Sequence, residues 1–323
     1  MGLSVLTATE QATKPFSHEA LLYRNERQFL VGTLAFIREG LARDEPVLVV
    51  VSADKIAMLK ERLGVQADRV QFADMAEVGA NPARIIPVWR RFADKALAAG
   101  RAFRGIGEPI WADRPADELV ECQRHERLIN LAFADASNFR LLCPYDTSAL
   151  GPDVLSEAFR SHTALVEDLQ QRPSADCLDL RDIAAPFDAP LPEPIDVLAE
   201  EPVAASTLST LRRVVARHAR CLGLSEPRID DLVVAVNEIA SNTVRHGGGS
   251  GALRIWASDS TLICEVADRG HITDPLAGRV EPHEDHESGR GLWMATQLCD
   301  LIQVRSFATG SAVRLHMHCS CLH

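Results

Sequence analysis

The first residues of the sequence do not have the pattern of a secretion signal, and long apolar segments are absent, so we expect no signal peptide. Its first residues, MGLSVLTATEQATKPFSHEA, lack the basic start and apolar run of a signal peptide, and no stretch of the 323 residues approaches the length of a membrane span. The eight cysteines form no CxxC pair, which is typical of reduced thiols in a bacterial-type cytosol. We therefore expect a cytoplasmic protein with no membrane partner.

Positive charge is also scarce. The chain has 34 Lys and Arg residues against 45 Asp and Glu, and its formal net charge is −11 at pH 7. Binding to nucleic-acid phosphates requires a basic surface, so we expect no direct contact with nucleic acid. A composition with 46% hydrophobic and 24% charged residues is typical of a globular protein, and a basic or ordinary protein is the expected partner.

Metal-ligating side chains crowd the C-terminal sequence HMHCSCLH. They are His316, His318, Cys319, Cys321 and His323. Two interpretations stay open: a metal site, or a terminal strand with alternating side chains that is followed by a frayed tail. A metal site needs a closed coordination shell, which spacing in a short cluster does not guarantee.

The length of the chain exceeds what one hydrophobic core usually serves, so two domains are expected. The stretch from Arg172 to Pro202 contains six prolines and no sustained hydrophobic period, which is typical of a linker. We therefore predict an N-terminal domain over residues 1–171, a linker over 172–201 and a C-terminal domain over 202–323.

The N-terminal half alternates apolar runs typical of strands with segments of helical period. The predicted strands are PVLVVV, RVQFA, FRGIGE and FRLLCPYD. The predicted helices are FLVGTLAFIREGL, KIAMLKERLG, ARIIPVWRRFADKALAAG, DELVECQRHERLINLAFA and DVLSEAFRSHTALVEDLQQ. This alternation predicts an α/β domain with a parallel sheet covered on both faces. The motif GxxxxGKS/T does not occur, so the domain lacks a P-loop.

The C-terminal half has a different order. A helix at STLSTLRRVVARHARCLG and a second helix from Glu226 to His246 are followed by strands at ALRIWAS and LICEVAD. A helix over residues 290–299 and strands at LIQVRSF and SAVRLHM complete the chain. Strands joined by short polar turns predict antiparallel pairing, with the helices gathered on one face. The sequence therefore predicts an α+β sandwich.

The second of these helices carries a row of polar groups. Glu238, Asn242 and His246 recur every four residues before three glycines, beside an apolar stripe on the neighbouring face. Such a row lies where a helix meets a pocket, although a solvated helix edge gives the same spacing. Two further elements favour the pocket.

One element is Asp268, which ends a strand and is followed by Gly270. The glycine lets the chain turn sharply beside the carboxylate. The other element is Gly289 and Gly291, which immediately precede a helix in SGRGLW. Free backbone N–H groups at a helix start, together with the helix dipole, hold phosphate groups.

In order, the motifs ExxxNxxxH-Gly, DxG and GxGL resemble those of the GHKL ATPase superfamily, over roughly residues 202–317. Within it, the chain is similar to the anti-sigma-factor serine/threonine kinases of bacteria. The resemblance implies that the domain binds ATP and Mg²⁺. It implies that Asn242 coordinates Mg²⁺ and that Glu238 orients or deprotonates the attacking hydroxyl.

The resemblance also assigns the remaining nucleotide contacts. Asp268 would accept a hydrogen bond from the adenine amino group, with Gly270 making room for the ring, and Ser311 would place a hydroxyl near adenine. His246 would either contact the nucleotide or cap the helix end. The residues that would wrap the phosphates are Gly289, Arg290, Gly291 and Leu292, and Arg290 would offset charge on the γ-phosphoryl group.

Residues 271–288, HITDPLAGRVEPHEDHES, would form a lid over the nucleotide. His271 and Ile272 follow Gly270 where a fuller pattern has another glycine, so the lid departs from the family at this point. His283 and His286 allow either a metal site or a polar, acid-rich loop, and they lack a third ligand at a recognisable spacing.

The N-terminal domain resembles the MEDS sensory domain of methylotroph and methanogen regulators. The resemblance rests on HEALLY at residues 18–23, on FIREGLARDEPVLVVV and on LLCPYD. It implies a RecA-like scaffold without a P-loop that senses a small-molecule ligand. The candidate contacts are His18, Tyr23, Trp111 and Tyr145, for which packing in the core is the alternative.

Together these resemblances imply an anti-sigma-factor regulator. It would bind an alternative sigma factor, phosphorylate a STAS-type anti-anti-sigma antagonist on Ser or Thr, and form a homodimer. Two alternatives are a non-catalytic ATP-dependent switch and a ligand sensor with a degenerate ATPase fold. A sensor histidine kinase is a third, with His18 or His125 as phospho-acceptor, but neither is followed by a second long helix that would complete a dimerisation hairpin.

Overall fold

The fold is known from a computed structural model, which describes residues 15–183, 190–282 and 289–319. Within these ranges the chain forms one sheet of seven strands and one of five. The predicted combination of an α/β half and an α+β half is confirmed. No helix in these ranges is both long enough and apolar enough to cross a bilayer.

The seven-stranded sheet belongs to the N-terminal half. Its strands are β1 (Ser17–Tyr23), β2 (Val47–Val51), β3 (Val70–Asp74), β4 (Phe103–Gly107), β5 (Phe139–Asp146), β6 (Ala164–Glu167) and β7 (Gln170–Pro173). The strand order is β3-β2-β4-β5-β1-β6-β7. All strand pairs are parallel except the edge pair of β6 and β7. The predicted parallel sheet is therefore confirmed for the six strands β1 to β6.

Helices cover both faces of this sheet. They are α1 (Glu26–Ala42), α2 (Ala53–Leu63), α3 (Met75–Val78), α4 (Ile85–Ala98), α5 (Ala116–Ala132) and α6 (Pro152–Ser161). Because side chains alternate along a strand, Leu48 and Val50 of β2 join one apolar cluster while Val49 joins another. The two clusters are the two cores on either side of the sheet.

Strand β1 is absent from the strands predicted above, although it lies near the middle of the sheet between β5 and β6. Its His18 and Glu19 break the fully apolar pattern expected of a buried parallel strand. Glu19 is nevertheless buried, because Arg140 Nε and Nη2 donate to its carboxylate at 2.8 and 3.0 Å. Glu19 is therefore tolerated in a central strand because Arg140, 121 positions away in the sequence, compensates its buried charge.

Helix α6 ends at Ser161, so the predicted helix DVLSEAFRSHTALVEDLQQ is wrong in its second half. The hairpin of β6 and β7 replaces it, and its register runs from Ala164 against Pro173 to Glu167 against Gln170. The turn residues Asp168 and Leu169 have φ of 47° and 63°. Both angles are positive, as a two-residue type I′ turn requires, but Asp-Leu is not the usual sequence of such a turn.

The five-stranded sheet forms the C-terminal half. Its strands are β8 (Val197–Val203), β9 (Gly251–Ser258), β10 (Thr261–Asp268), β11 (Leu301–Phe307) and β12 (Gly310–His318), in the order β11-β12-β10-β9-β8. Every pair is antiparallel. Helices α7 (Leu208–Cys221), α8 (Glu226–His246) and α9 (Arg290–Leu298) share one apolar cluster with the sheet. The predicted sandwich is confirmed.

Strand β8 begins at Val197, inside the segment 172–201 that is predicted to be a linker. It contains Pro202, which cannot donate to a sheet ladder. Because β8 lies at the edge of its sheet and pairs only with β9, the missing donor is tolerated. The domain boundaries themselves stay predictions.

The C-terminal histidines that the structure describes follow a strand pattern. His316 is buried, and its Nε2 lies 3.1 Å from Gln303 Oε1, while His318 is exposed and contacts Thr261 Oγ1 at 2.9 Å. Burial lowers the pKa of His316. The alternation favours the terminal-strand interpretation. Four predicted metal ligands lie outside the described residues: His283, His286, Cys321 and His323.

The core of the N-terminal sheet predicts a steric test. A Cβ on Gly105 of β4 would lie 2.6 Å from the Trp89 ring and 2.9 Å from Leu141 Cδ1. We expect Gly105→Ala to lower the free energy of unfolding by about 1–3 kcal/mol, because the core is overpacked. Denaturant unfolding followed by Trp fluorescence and circular dichroism measures the change.

The matched control is the double variant Gly105→Ala with Trp89→Leu, which removes the ring that the new methyl group meets. We expect the double variant to be more stable than the sum of the two single changes predicts. Strict additivity of the two changes would contradict the contact.

Candidate active site

The polar row of helix α8 lies at the C-terminal end of the helix. Its predicted apolar neighbours are all buried: Leu232, Val236, Ile239 and Ala240. Glu238 and Asn242 are partly buried beside this stripe, and Arg245 Nη2 donates to Asn242 Oδ1 at 3.1 Å. His246 is the last residue of the helix and is exposed. The row therefore borders the core and reaches solvent at its end.

Asp268, the last residue of β10, lies against the same end of α8. Its carboxylate accepts hydrogen bonds from Thr243 Oγ1 at 2.7 Å, from Ser311 Oγ at 2.9 Å and from the Gly270 backbone N–H at 2.9 Å. These donors come from α8, from β12 and from the turn after β10. Three elements thus fix one carboxylate, and two of the three donors are residues that the sequence resemblance assigns.

The glycine that follows α8 is required by space. Gly247 has an ordinary φ of −88°, but a Cβ at this position would lie 2.3 Å from Asp268 Oδ2. No side chain fits between the helix end and the carboxylate. The helix ends in glycine because its end packs directly against Asp268.

The GxG segment packs against the polar row. A Cβ on Gly291 would lie 2.8 Å from Glu238 Oε2 and 3.3 Å from Asn242 Nδ2. The backbone at the start of α9 therefore approaches both side chains as closely as a glycine allows. Residues that are about fifty positions apart in the sequence meet here.

The first turn of α9 has the features of an anion site. Gly289 is the N-cap, with φ of 90°, and no acidic residue occupies the first turn. The first N–H groups of a helix have no partner within the helix, and the positive end of its dipole lies there. Arg290 is exposed, whereas Leu292 is buried and packs in the core of the C-terminal sandwich.

Comparisons with known proteins agree with this architecture. Residues 17–163 match the family described as MEDS, the methanogen/methylotroph DcmR sensory domain. Residues 202–317 match the family described as the histidine kinase-like ATPase domain. The chain carries an N-terminal MEDS domain and a C-terminal histidine kinase-like ATPase domain. The predicted resemblances to the MEDS domain and to the GHKL-type ATPase domain are confirmed.

Several solved structures are similar to part of the chain. One of them contains the RsbU and RsbW domains of Rv1364c from Mycobacterium tuberculosis, and the similarity covers 37% of this chain and 32% of that chain at 19% identity and a TM-score of 0.29. This chain thus spans about a third of the length of that structure. A similarity of this extent does not establish a shared function. No curated protein matches the chain.

The described part of the predicted lid, residues 271–282, packs against both domains. Leu276 and Val280 contact the apolar core of the MEDS domain. Gly278 has φ of 75° and lies against Leu292 and Thr296 of α9, where a Cβ would come within 3.1 Å of both side chains. The base of the predicted lid is therefore held between the MEDS domain and the helix that follows the lid.

A buried ion cluster joins the two domains at the same place. Glu121 of α5, in the MEDS domain, accepts hydrogen bonds from Arg279 Nη2 at 2.7 Å and from Arg305 Nη1 at 2.8 Å. All three side chains are at most 5% exposed. Arg279 belongs to the base of the predicted lid and Arg305 to β11. One carboxylate therefore holds two elements of the ATPase domain.

The MEDS domain also caps the C-terminal end of α9. Asn81 Nδ2 donates to the carbonyl oxygens of Thr296 and Cys299, at 3.1 and 3.3 Å. Arg84 donates to the same two carbonyls and to that of Gln297, at 2.6–2.9 Å. A cation at this position also interacts favourably with the negative end of the helix dipole. The helix that begins at the GxG segment thus ends on the MEDS domain.

Three of the four predicted ligand contacts of the MEDS domain lie in its interior. His18, Tyr23 and Tyr145 are at most 4% exposed, whereas Trp111 is 38% exposed. Tyr23 Oη donates to Glu108 at 2.7 Å, and burial raises the pKa of Tyr23 above its ordinary value. The core interpretation therefore holds for these three side chains.

The histidines considered as phospho-acceptors are also inaccessible. His18 lies in strand β1 and is fully buried, and His125 lies on α5 with 1% exposure. A phospho-acceptor histidine must reach the γ-phosphate in solvent. Neither residue meets this requirement, which weighs against a sensor histidine kinase.

Sequence reasoning missed several residues of the site and its surroundings. Thr243 directly follows Asn242, and its hydroxyl is the shortest donor to Asp268. The only sequence signal for a role of Thr243 is its position next to the motif residue Asn242. The residues that join the domains have no local signal, because their partners lie 158 to 218 positions away: Asn81, Arg84, Glu121, Arg279 and Arg305.

The Asp268 hydrogen bonds predict a difference between two buried threonines. Thr243→Val keeps the shape but removes a donor to a partly buried carboxylate, so we expect a loss of about 1–3 kcal/mol in stability. Thr296→Val is the matched control, since Thr296 Oγ1 donates only to the Leu292 carbonyl within its own helix, at 3.0 Å, and we expect a smaller loss. Denaturant unfolding of both variants measures the difference. Equal losses would contradict the role of Thr243.

Proposed function

We propose that the ATPase domain binds ATP with Mg²⁺ and transfers the γ-phosphoryl group to a serine or threonine of a protein antagonist. The single observation that carries this proposal is the contact of the Gly291 backbone with Glu238 and Asn242, next to Asp268. Phosphoryl transfer requires a proton acceptor, a metal ligand and a phosphate cradle. Glu238 as the proton acceptor, Asn242 as the metal ligand and the Gly291 backbone as part of the phosphate cradle lie close together near the end of α8.

The hydrogen bonding of Asp268 supports adenine recognition. A carboxylate offers about four lone-pair positions, and Thr243, Ser311 and Gly270 occupy three of them. One position on Oδ2 remains for a further donor. The adenine amino group is such a donor, and the three existing bonds hold the carboxylate in place to receive it.

Each remaining residue has one role in the proposal. When bound, ATP supplies the phosphoryl group and Mg²⁺ offsets its charge. Asn242 offers an amide oxygen to the metal, and Glu238 accepts the proton of the attacking hydroxyl. Gly289 and Gly291 present backbone N–H groups to the phosphates, and Arg290 lies at the helix start where it offsets their charge.

The partners follow from the resemblance to anti-sigma-factor kinases. We assign the bound target as an alternative sigma factor, and the phosphorylated antagonist as a STAS-type anti-anti-sigma protein. A chain with a net charge of −11 favours a basic or neutral partner surface. By the same resemblance, we assign a cytoplasmic homodimer.

The MEDS domain modulates the site in this proposal. Glu121 holds the base of the predicted lid and β11, while Asn81 and Arg84 hold the C-terminal end of α9. The start of α9 is the proposed phosphate site. A small-molecule ligand that shifts the MEDS domain therefore acts on two elements around the nucleotide.

A non-catalytic switch is the second candidate function. The observation that favours it is the packing of the base of the predicted lid on the MEDS domain, through Leu276 and Val280. Nucleotide contacts with the remainder of the lid then alter a surface shared by both domains, and partner choice follows without phosphoryl transfer. Kinase assays distinguish the two candidates.

Two isosteric variants separate catalysis from binding. With γ-labelled ATP and a STAS-type antagonist, we expect Glu238→Gln to lower the transfer rate by about 10²–10⁴-fold, because the proton acceptor is lost. We expect ATP affinity in calorimetry to persist. Asp268→Asn should instead weaken ATP binding by about 10-fold or more, because a donor replaces an acceptor.

Thermal melting of each variant controls for folding. If the wild-type chain binds ATP and changes its partner but transfers no phosphate, the non-catalytic switch is the correct function. If it binds no ATP in calorimetry, both candidates fail and the chain is a ligand sensor with a degenerate ATPase fold.

The domain connection predicts a second pair of variants. Glu121→Gln leaves Arg279 and Arg305 buried without an anion, so we expect a loss of about 3–5 kcal/mol at the domain interface. Hydrogen exchange in residues 271–282 and in α9 should rise, and ATP affinity should change. Glu118→Gln is the control, since Glu118 lies on the same helix and pairs with Arg114 inside the MEDS domain, at 3.2 Å. Equal exchange in the two variants would refute the connection.

A further inference from the structure

Four side chains with metal-binding atoms converge in the core of the MEDS domain. They are His18 of β1, Glu126 of α5, Cys143 of β5 and His162, which directly follows α6. Each is at most 2% exposed. One ligand atom from each residue lies within 4.8 Å of all the others. Among the residues that the structure describes, no other group of this kind occurs.

The hydrogen bonds around His18 fix which ring nitrogen faces the cluster. The Asn130 amide donates through Nδ2 to two carbonyl oxygens, those of Glu126 and Ser161, at 3.2 and 2.7 Å. Its Oδ1 is therefore an acceptor, and it lies 3.2 Å from His18 Nδ1. The Nδ1 of His18 must carry the proton in this contact, which leaves Nε2 with a lone pair that points to Glu126 and Cys143.

His162 has the same arrangement. Its Nδ1 lies 2.8 Å from the Ala158 carbonyl oxygen, which can only accept, so Nδ1 carries the proton. Its Nε2 lies 3.1 Å from Glu126 Oε2, as does the Nε2 of His18. Metal-binding histidines commonly donate the other ring N–H to a carbonyl or carboxamide oxygen in this way.

The atoms that face the centre lack other partners. Glu126 Oε2 and His162 Nε2 are fully enclosed, and beyond the 3.1 Å contacts between Glu126 and the two imidazoles neither atom has a hydrogen-bond partner. Two imidazole nitrogens and a carboxylate oxygen at 3.1 Å repel one another unless a proton or a metal cation lies between them. The sulfur of Cys143 adds a fourth group, 3.3 Å from His18 Nε2.

Three of the six separations among the four ligand atoms are close to those around a tetrahedral ion, and all six are within 4.8 Å. Zinc binds nitrogen and oxygen ligands at about 2.0–2.2 Å and sulfur at about 2.3 Å, so neighbouring ligand atoms in a tetrahedron are about 3.3–3.7 Å apart. The observed contacts of 3.1, 3.1 and 3.3 Å lie close to this range. A thiolate and a carboxylate together offset the charge of a divalent ion, and two neutral imidazoles complete the shell.

We propose that His18, Glu126, Cys143 and His162 bind one zinc ion in the core of the MEDS domain. Four protein ligands leave no open position, so the ion is structural and has no part in phosphoryl transfer. The thiol of Cys143 loses its proton to solvent when the ion binds. The proposal is independent of the nucleotide site, which lies in the other domain.

The metal content of the full chain tests this proposal. After growth with zinc and gel filtration in the presence of a chelator, elemental analysis should find about one zinc ion per chain. X-ray absorption of that sample should show one sulfur among four ligands. Reconstitution with cobalt should give the thiolate-to-cobalt charge-transfer band and the d–d bands of a tetrahedral ion.

Matched variants locate the ion. Cys143→Ala and His162→Gln should lose the metal, whereas Cys122→Ala and His125→Gln, which change equally buried neighbours, should keep it. The variant Cys321→Ala with His323→Ala should also keep it, which excludes binding by the C-terminal tail.

Three outcomes overturn the proposal. The first is a folded wild-type chain without metal after zinc loading, which leaves a hydrogen-bonded His–Glu cluster. The second is a first shell without sulfur in the wild-type spectrum, a reading that does not require any variant to fold. The third is full metal content in a folded Cys143→Ala chain.

Discussion

The buried carboxylate of Glu121 is the contact on which the relation of the two domains depends. Removing it from water costs free energy, which two arginines from the ATPase domain offset by hydrogen bonds at 2.7 and 2.8 Å. Because those arginines come from the base of the predicted lid and from β11, the cluster is complete only when the domains are docked. The charges of this cluster therefore find their ion-pair partners only across the interface, which ties domain docking to the position of the lid base.

Helix α9 extends this connection to the candidate nucleotide site. Its first turn begins at the glycines that pack on Glu238 and Asn242, and its last carbonyls accept hydrogen bonds from Asn81 and Arg84 of the MEDS domain. An α-helix of nine residues is short and stiff, so its two ends move together. A displacement of the MEDS domain thus reaches the phosphate end of the helix without an intervening flexible segment.

The sequence predicted those parts of the fold in which local pattern and burial agree. Helix α8 has its predicted ends, and Asp268 meets the end of α8, because hydrophobic period, the helix C-terminus and strand ends are local signals. Strand β1 was not predicted because it contains the polar residues His18 and Glu19. Their hydrogen-bond partners lie more than 100 positions away in the sequence. The hairpin of β6 and β7 was not predicted because its turn residues, Asp168 and Leu169, are not the residue types that usually indicate positive φ. The domain-joining residues pair over more than 150 positions, a distance at which single-sequence pattern carries no information.

Helix α5 carries both the carboxylate that pairs with the ATPase domain and the carboxylate of the four-residue cluster in the MEDS domain. Glu121 and Glu126 are five residues apart, which places them about 7.5 Å apart along the axis and about 140° apart around it. One carboxylate therefore faces the ATPase domain while the other faces the four-residue cluster in the MEDS core. Both carboxylates are buried, and Glu121 is held by ion pairs with Arg279 and Arg305. Helix α5 therefore links the core of the MEDS domain to the ion pairs that hold the base of the predicted lid.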